Sequence, residues 1–218
     1  MPTKTPGSVA LSTAGLVEVL VTFALEMSPR LTSKDTLVLN FGAHYIGSPA
    51  HSPVSNLRRG LAAFMRRWAA LGKARGDMPR LVWRDTAPQH FASPTGEYNQ
   101  TAVPDGEPEH YPCQPLSAER VSWLLKDPGS YVNLHRKAFI EAVQCAGLKL
   151  NDRSIALLPL WRASQERVTE HRGWADFNAE KKAFEGNVYD CGHYCRRSSV
   201  NLYWNAALAN LIKWMQRG

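Results

Sequence analysis

The sequence predicts an α/β fold, a sandwich of three layers in which helices cover both faces of a mostly parallel central sheet. Three short segments, residues 36–41, 80–84 and 154–161, are nearly continuous in apolar side chains. Such runs are typical of central strands that are buried on both faces. Helical patterns alternate with these strands, and they cover residues 56–75, 131–146 and 199–216.

The order of these segments explains the rest of the prediction. Strands that are separated by helices pair in parallel, because each return to the same edge of the sheet needs a long crossover. The first helical pattern places its apolar residues on one face, and the second has Gly147 immediately after it as a stop signal. The third helix closes the chain and follows the segment that carries most of the candidate chemistry.

The length and composition fit a single domain that covers residues 1–218. The chain has 218 residues, 44% of them hydrophobic, which is enough for one full core. Residues 93–116 are rich in proline and polar side chains, and they predict a long surface excursion. This excursion contains Cys113, which could pin it covalently, and the Asn99-Gln100-Thr101 glycosylation acceptor.

No signal peptide opens the sequence. The apolar run at residues 15–27 is too short to cross a membrane and contains Glu18, so it predicts a buried helix. Membrane attachment is therefore expected only through a segment that is absent from this chain.

Basic residues give the chain a net charge of +7, and they are densest between residues 58 and 80. There they flank an apolar stripe at helical spacing, which favours a solvated helix face over a site for an anionic partner such as a polyanionic glycan. Nucleic-acid binding is the weakest of the readings, because the basic residues are otherwise spread along the chain.

The four cysteines, Cys113, Cys145, Cys191 and Cys195, do not follow a zinc-binding pattern, and no metal or other cofactor is expected. Their even number permits two disulfides, with three possible pairings. Cys145 lies in a helical segment, where a buried free thiol and a bridge are both open.

Two segments carry candidate catalytic chemistry. Asp190 precedes His193 by three residues in the sequence DCGHYC, which we expect to form a loop. There the carboxylate could accept a hydrogen bond from Nδ1 and leave Nε2 to act as a general base, although a capping acid beside an ordinary polar histidine fits the same pattern.

The second segment follows the first strand. Asn40 could donate its amide to an oxyanion, or it could simply close the strand, and Gly42 would allow close backbone approach. His44 follows them and could contact a sugar ring.

After the second strand, Arg84 could bind a sugar hydroxyl or a carboxylate, or pair with an acid such as Asp85. His90 could line the pocket or bond to backbone as a loop histidine.

Three segments together resemble the PC-esterase domain of the trichome birefringence-like proteins, which belongs to the SGNH hydrolase-like superfamily. Residues 37–45 (LVLNFGAHY) resemble the family strand that ends in N-x-G-H-W, and residues 82–91 (VWRDTAPQHF) resemble W-R-x-x-S-P-x-H-F. Residues 190–195 (DCGHYC), followed by Trp204 and Asn205, are similar to its D-C-x-H-W-C and W-N signature. The resemblance covers most of the chain and implies an SGNH/flavodoxin-like sandwich.

The resemblance also implies a function. Enzymes of this kind form an acyl-serine and pass the acyl group, usually acetyl, from an acyl donor to a polysaccharide hydroxyl or to water. His193 would be the base, Asp190 its orienting acid and Asn40 an oxyanion donor. The domain would lie in the lumen of the secretory pathway, in the Golgi, or outside the cell, where its cysteines could form disulfides.

The sequence departs from the family in one decisive place. The G-D-S motif that carries the nucleophilic serine has no counterpart in this chain, and Ala43 interrupts the G-H-W step. We therefore expect either an N-terminally incomplete acyl-ester enzyme or, as the alternative, a catalytically inactive relative that binds a glycan in the same cleft.

Overall fold

The computed structural model describes residues 30–40, 54–91, 93, 95–97, 113–173, 177–178, 183–184 and 190–217. It confirms the α/β class. The described strands are β1 (Thr36–Leu39), β2 (Arg80–Arg84), β3 (Ile155–Leu158), β4 (His171–Gly173), β5 (Phe177–Asn178), β6 (Ala183–Phe184) and β7 (Asp190–Tyr194). The described helices are α1 (Val54–Arg75), α2 (Ala118–Lys126), α3 (Tyr131–Cys145), α4 (Trp161–Ser164) and α5 (Ser199–Gln216), with a 3₁₀ turn at Val168–Glu170.

The three predicted strands form one parallel sheet in the order β1-β2-β3. Leu37 pairs with Leu81, and Val82 pairs with Ala156. The third strand is shorter than predicted, because the chain leaves the sheet after Leu158 and enters α4. Two smaller antiparallel pairs, β4 with β7 and β5 with β6, were not predicted.

One face of the sheet packs against α1 and α3. Phe64 of α1 and Phe139 of α3 are fully buried in this core together with Trp83 of β2. The rings of Trp83 and Phe139 stack with their centroids 5.2 Å apart. Each buried aromatic side chain of this kind contributes about 3 kcal/mol to folding, so this face carries the larger hydrophobic core.

The other face of the sheet packs against α5. Val82 of β2 and Ala156 of β3 lie in a second buried cluster with Met215, and Trp204 and Leu211 of α5 pack against it. Successive side chains of a strand point to opposite faces, which is why Val82 and Trp83 belong to different cores. Helices thus cover both faces of the described sheet.

Serine side chains begin three of the helices. Ser117, Ser130 and Ser198 each accept a hydrogen bond from the backbone N–H three residues ahead, and such a cap is worth about 1 kcal/mol. Gly147, predicted as a stop, follows the end of α3 with a φ of 70°. That left-handed conformation suits glycine and ends the helix.

The basic residues of α1 lie on its exposed face. Arg58, Arg59, Arg66 and Arg67 are all exposed, and Arg58 forms a surface ion pair with Glu141 of α3 at 3.2 Å. The basic side chains are therefore exposed while the apolar stripe of α1 faces the core, as the helical spacing predicts.

The predicted surface excursion and the predicted N-terminal helix lie mostly or wholly in residues that the structure does not describe. The excursion at residues 93–116 falls mostly outside the described residues, as do Asn99 and the predicted helix at residues 15–27. In the part of the chain that the structure describes, no helix has both the length and the apolar character needed to cross a membrane.

Candidate functional site

The ends of β1 and β2 are joined by the side chain of Asn40. Its amide nitrogen donates a hydrogen bond of 2.8 Å to the backbone oxygen of Arg84, the last residue of β2. A primary amide carries two N–H groups, so this bond uses half of the donor capacity of Asn40. Gly42 and His44 lie outside the described residues.

Arg84 is anchored by an aromatic ring. Its guanidinium carbon lies 4.6 Å from the centroid of the ring of Trp204, a residue of the C-terminal helix α5. Burial lowers the pKa of Arg84, while the negative charge of Asp85 opposes that shift. The structure pairs Asp85 with Arg136, so of the alternatives for Arg84 the ion pair with Asp85 is not the one formed.

His90 is fully buried and bonded through its ring. Its Nε2 lies 2.8 Å from the backbone oxygen of Gln165, and its Nδ1 lies 2.5 Å from Nε2 of His171. Burial lowers the pKa of His90, and the bond to Gln165 raises it by a smaller amount. His90 therefore has the backbone-bonded environment that the sequence left open beside the pocket role.

The DCGHYC segment is a strand rather than the predicted loop. Residues Asp190–Tyr194 form β7, which pairs antiparallel with β4 so that Tyr194 lies opposite His171 and Asp190 opposite Gly173. The loop prediction is wrong because β4, the partner of this strand, comes almost twenty residues earlier in the chain, and strand pairing with a distant segment leaves no local periodicity.

The strand conformation bears on the expected hydrogen bond between the His193 ring and the Asp190 carboxylate. In a regular strand, residues three apart point to opposite faces. The pairing is irregular, however, since two residue steps in β4 match four steps in β7, and such an irregularity can redirect a side chain. His193 is exposed, while the Asp190 side chain lies outside the description, so their contact stays a prediction.

A stack of rings connects β7 to the rest of this edge. Tyr194 lies with its ring centroid 4.1 Å from that of His171 and 5.4 Å from that of Trp204. Its hydroxyl donates to the backbone oxygen of Ser164, and the Trp204 indole N–H donates to the Ser164 hydroxyl. Burial raises the pKa of Tyr194, so this phenol is a neutral donor at ordinary pH.

One disulfide crosslinks the same region. Cys113 and Cys191 are bonded, with their Cα atoms 5.5 Å apart, so Cys113 does pin the end of the excursion. Cys145 and Cys195 are free and exposed. Of the two disulfides that the cysteine count permits, one is formed. Cys145 is a free thiol, as one of its two alternatives had it, but its side chain is exposed rather than buried.

A second buried polar cluster, absent from the predictions, follows β2. The guanidinium of Arg136 binds both carboxylate oxygens of Asp85, at 2.9 and 2.5 Å. Next to it, the Thr86 hydroxyl lies 3.2 Å from Nδ1 of His135. Asp85, Thr86 and His135 are all at least 95% buried. These contacts join α3 to the end of β2.

Sequence reasoning found most residues of this edge but missed His171, Ser164 and Arg136. No feature of the sequence marks those three residues, whereas Tyr194 could have been found because it adjoins the candidate base His193. Among the residues that the structure describes, no group of three acidic, histidine or cysteine side chains is placed to hold a metal ion.

The described contacts bring four distant segments together. Asn40 meets Arg84, Arg84 meets Trp204, and the backbone N–H of His90 donates to the oxygen of Cys191 at 3.0 Å. These residues gather at the carboxyl ends of β1 and β2, where open α/β sheets bind their ligands. The arrangement supplies hydrogen-bond donors, a cation and an exposed imidazole near one edge.

Comparisons with protein-family models, with curated proteins and with solved structures found no match to this chain.

Proposed function

We propose that this chain is an SGNH-type domain of the PC-esterase kind that transfers or hydrolyses O-acyl groups on a glycan, and we assign acetyl as the acyl group. The observation that carries the proposal is the convergence of the three segments on which the resemblance rests. Residues at positions 40, 84–90 and 190–204 are far apart in sequence, yet they contact one another at a single edge of the sheet.

The proposed roles follow from the chemistry of each group. His193 is exposed and acts as the general base, and Asp190 orients its ring. Asn40 offers its amide to the oxyanion of the tetrahedral intermediate, an interaction that is worth about 3 kcal/mol in acyl transfer. Arg84, held over Trp204, is suited to bind a hydroxyl of the glycan acceptor.

The nucleophilic serine is assigned to no residue of this chain, because G-D-S has no counterpart in the 218 residues. The proposal includes the complete three-layer sandwich, of which the described sheet with helices on both faces is a part. It also places the domain in the secretory lumen or outside the cell, where the Cys113–Cys191 disulfide would persist.

A second candidate is a glycan-binding relative without catalytic activity. Two observations favour it: the Asn40 amide is already bonded to the backbone of Arg84, and Asp190 and His193 lie on a strand rather than a loop. Both observations make the catalytic geometry depend on a rearrangement at this edge.

Hydrolysis of a chromogenic acetyl ester tests the first proposal when it is measured on the purified chain and on the same chain extended at its N terminus by a G-D-S segment, the form in which turnover is expected. We expect His193→Ala to lower kcat/KM by at least about 100-fold, the usual contribution of a general base, and Asn40→Ala to lower it by about 100-fold. Lys213→Ala, an exposed change on α5, is the matched control and should retain full activity.

Labelling with a fluorophosphonate separates the remaining outcomes. Labelling of a serine that requires His193 supports the enzyme and identifies the nucleophile by mass spectrometry. Absence of turnover and of labelling, with saturable binding of an acetylated glycan that Arg84→Ala weakens, supports the inactive relative. Absence of both turnover and glycan binding contradicts both candidates.

A further inference from the structure

His90 and His171 face each other between the segment after β2 and the β4–β7 pair. Nδ1 of His90 lies 2.5 Å from Nε2 of His171, and the two side chains are only 0% and 6% exposed. Two ring nitrogens this close must have a proton between them, because two lone pairs or two N–H bonds would repel each other.

The outer nitrogen of each ring faces a backbone carbonyl. Nε2 of His90 lies 2.8 Å from the oxygen of Gln165, and Nδ1 of His171 lies 3.2 Å from the oxygen of His193. A carbonyl oxygen only accepts hydrogen bonds, so both outer nitrogens must carry a proton. The contacts therefore require three protons on the four ring nitrogens.

Two neutral imidazoles carry only two protons, so the third gives the pair a single positive charge. We propose that His90 and His171 form a monocationic pair that shares one proton and acts as a pH-sensitive clasp, holding β7 to the segment after β2. Loss of the third proton deprives one carbonyl of its donor. Uptake of a fourth proton places two N–H groups against each other and opens the clasp.

The surroundings of the clasp suit one positive charge. Tyr194 stacks on His171 with centroids 4.1 Å apart, and an aromatic face attracts a cation. The thiol of Cys195 donates to the backbone oxygen of His171. Burial opposes the charge, since it lowers the pKa of His90, and the bond to Gln165 raises it.

Among the described residues, β7 and the 3₁₀ turn also bring titratable and charged groups near the clasp. Glu170 precedes His171, and its carboxylate accepts from the Ser199 hydroxyl and the Val200 N–H while Arg167 lies 3.8 Å away. Cys191 is held in its disulfide. Asp190 lies on β7 opposite Gly173, with its side chain outside the description.

The clasp has a defined response to acid. An unfolded or opened segment binds two extra protons on its two histidines, whereas the closed pair binds one. Below the ordinary histidine pKa of about 6.5, each further pH unit therefore favours the opened form by about tenfold. Opening of β7 should expose the Cys113–Cys191 disulfide, because Cys191 is fully buried in the closed form.

The first test counts protons by ¹⁵N NMR on the chain labelled at histidine, across about pH 5 to 8. We expect a state in which three of the four nitrogens of this pair are protonated and one proton is shared. Two protonated nitrogens at every pH, or two histidines that titrate independently, would overturn the proposal. This count needs no variant and no catalytic activity, so it is independent of the proposed function.

The second test measures reduction of the Cys113–Cys191 disulfide by a phosphine, normalised to a small-molecule disulfide at each pH. The native chain should be reduced about tenfold faster per pH unit of acidification below the transition. His171→Asn retains an N–H for the carbonyl of His193 but lacks the contact with His90, so its reduction should be fast and independent of pH.

His135→Gln is the control for removal of a buried histidine, since His135 lies on α3 and its Nδ1 contacts the Thr86 hydroxyl. It should keep the native pH profile. A native chain whose reduction does not depend on pH, or a His171→Asn variant with the native slope, would refute the clasp. If His171→Asn does not fold, the proton count on the native chain decides alone.

Discussion

Removal of the Cys113–Cys191 disulfide should cost this chain a large part of its stability. The bridge joins residues 78 positions apart. For a loop of that length, the chain-entropy relation assigns a loss of about 15 cal/mol/K to the crosslinked unfolded chain, which corresponds to about 4.5 kcal/mol at room temperature. Small domains are stable by only about 5 to 15 kcal/mol, so reduction should bring the chain close to unfolding.

The assay is urea unfolding of the same chain with and without reductant, followed by tryptophan fluorescence. We expect the free energy of unfolding to fall by about 3 to 4.5 kcal/mol, and the urea dependence of that energy to become steeper, because the reduced unfolded chain is more expanded.

Cys145→Ala is the matched control, since Cys145 is exposed and free, and it should respond to reductant as the native chain does. A loss of less than about 1 kcal/mol, with an unchanged urea dependence, would refute the entropic reasoning.

Three further predictions concern single side chains. Arg136→Met should lower the free energy of unfolding by about 3 kcal/mol, because it leaves the buried carboxylate of Asp85 unpaired. The control Lys137→Met changes an exposed neighbour and should alter that energy by less than about 0.5 kcal/mol, so equal losses for the two variants in urea titrations would contradict this prediction. Ser198→Ala removes the cap of α5 and should cost about 1 kcal/mol in the same assay, while a neutral result would mean that water replaces the cap. Burial raises the pKa of Tyr194, so above about pH 10 the unfolded chain releases a proton that the folded chain keeps, and the free energy of unfolding should fall by about 1.4 kcal/mol per pH unit. Tyr194→Phe should remove this contribution to the alkaline slope, and a variant with the native slope would contradict the assignment to Tyr194.

The sheet was predictable because its strands are buried on both faces. The run at residues 80–84 is apolar throughout its interior, and β2 has the same bounds. The third run was predicted too long because Leu160 and Trp161 are buried as well, at the start of the short helix that follows β3 rather than in the sheet. Burial alone does not tell a strand from a helical turn.

The candidate site was predictable only residue by residue. Asn40, Arg84 and His90 stood out because each follows or ends an apolar run, and strand ends collect at one edge of a parallel sheet. Their actual partners were not predictable. His171 is 81 positions from His90, and the choice of Cys191 for Cys113 was one of three pairings that the four cysteines allow.

The sequence by itself determined the α/β class, the three parallel strands and the apolar faces of the main helices, because these depend on local periodicity and burial. Only the tertiary structure decided that Asp190–Tyr194 is a strand, that Arg84 stacks on Trp204 and that the ring of His90 contacts the ring of His171. Those contacts join residues far apart in the chain, and their geometry depends on how the packed helices bring the strand ends together.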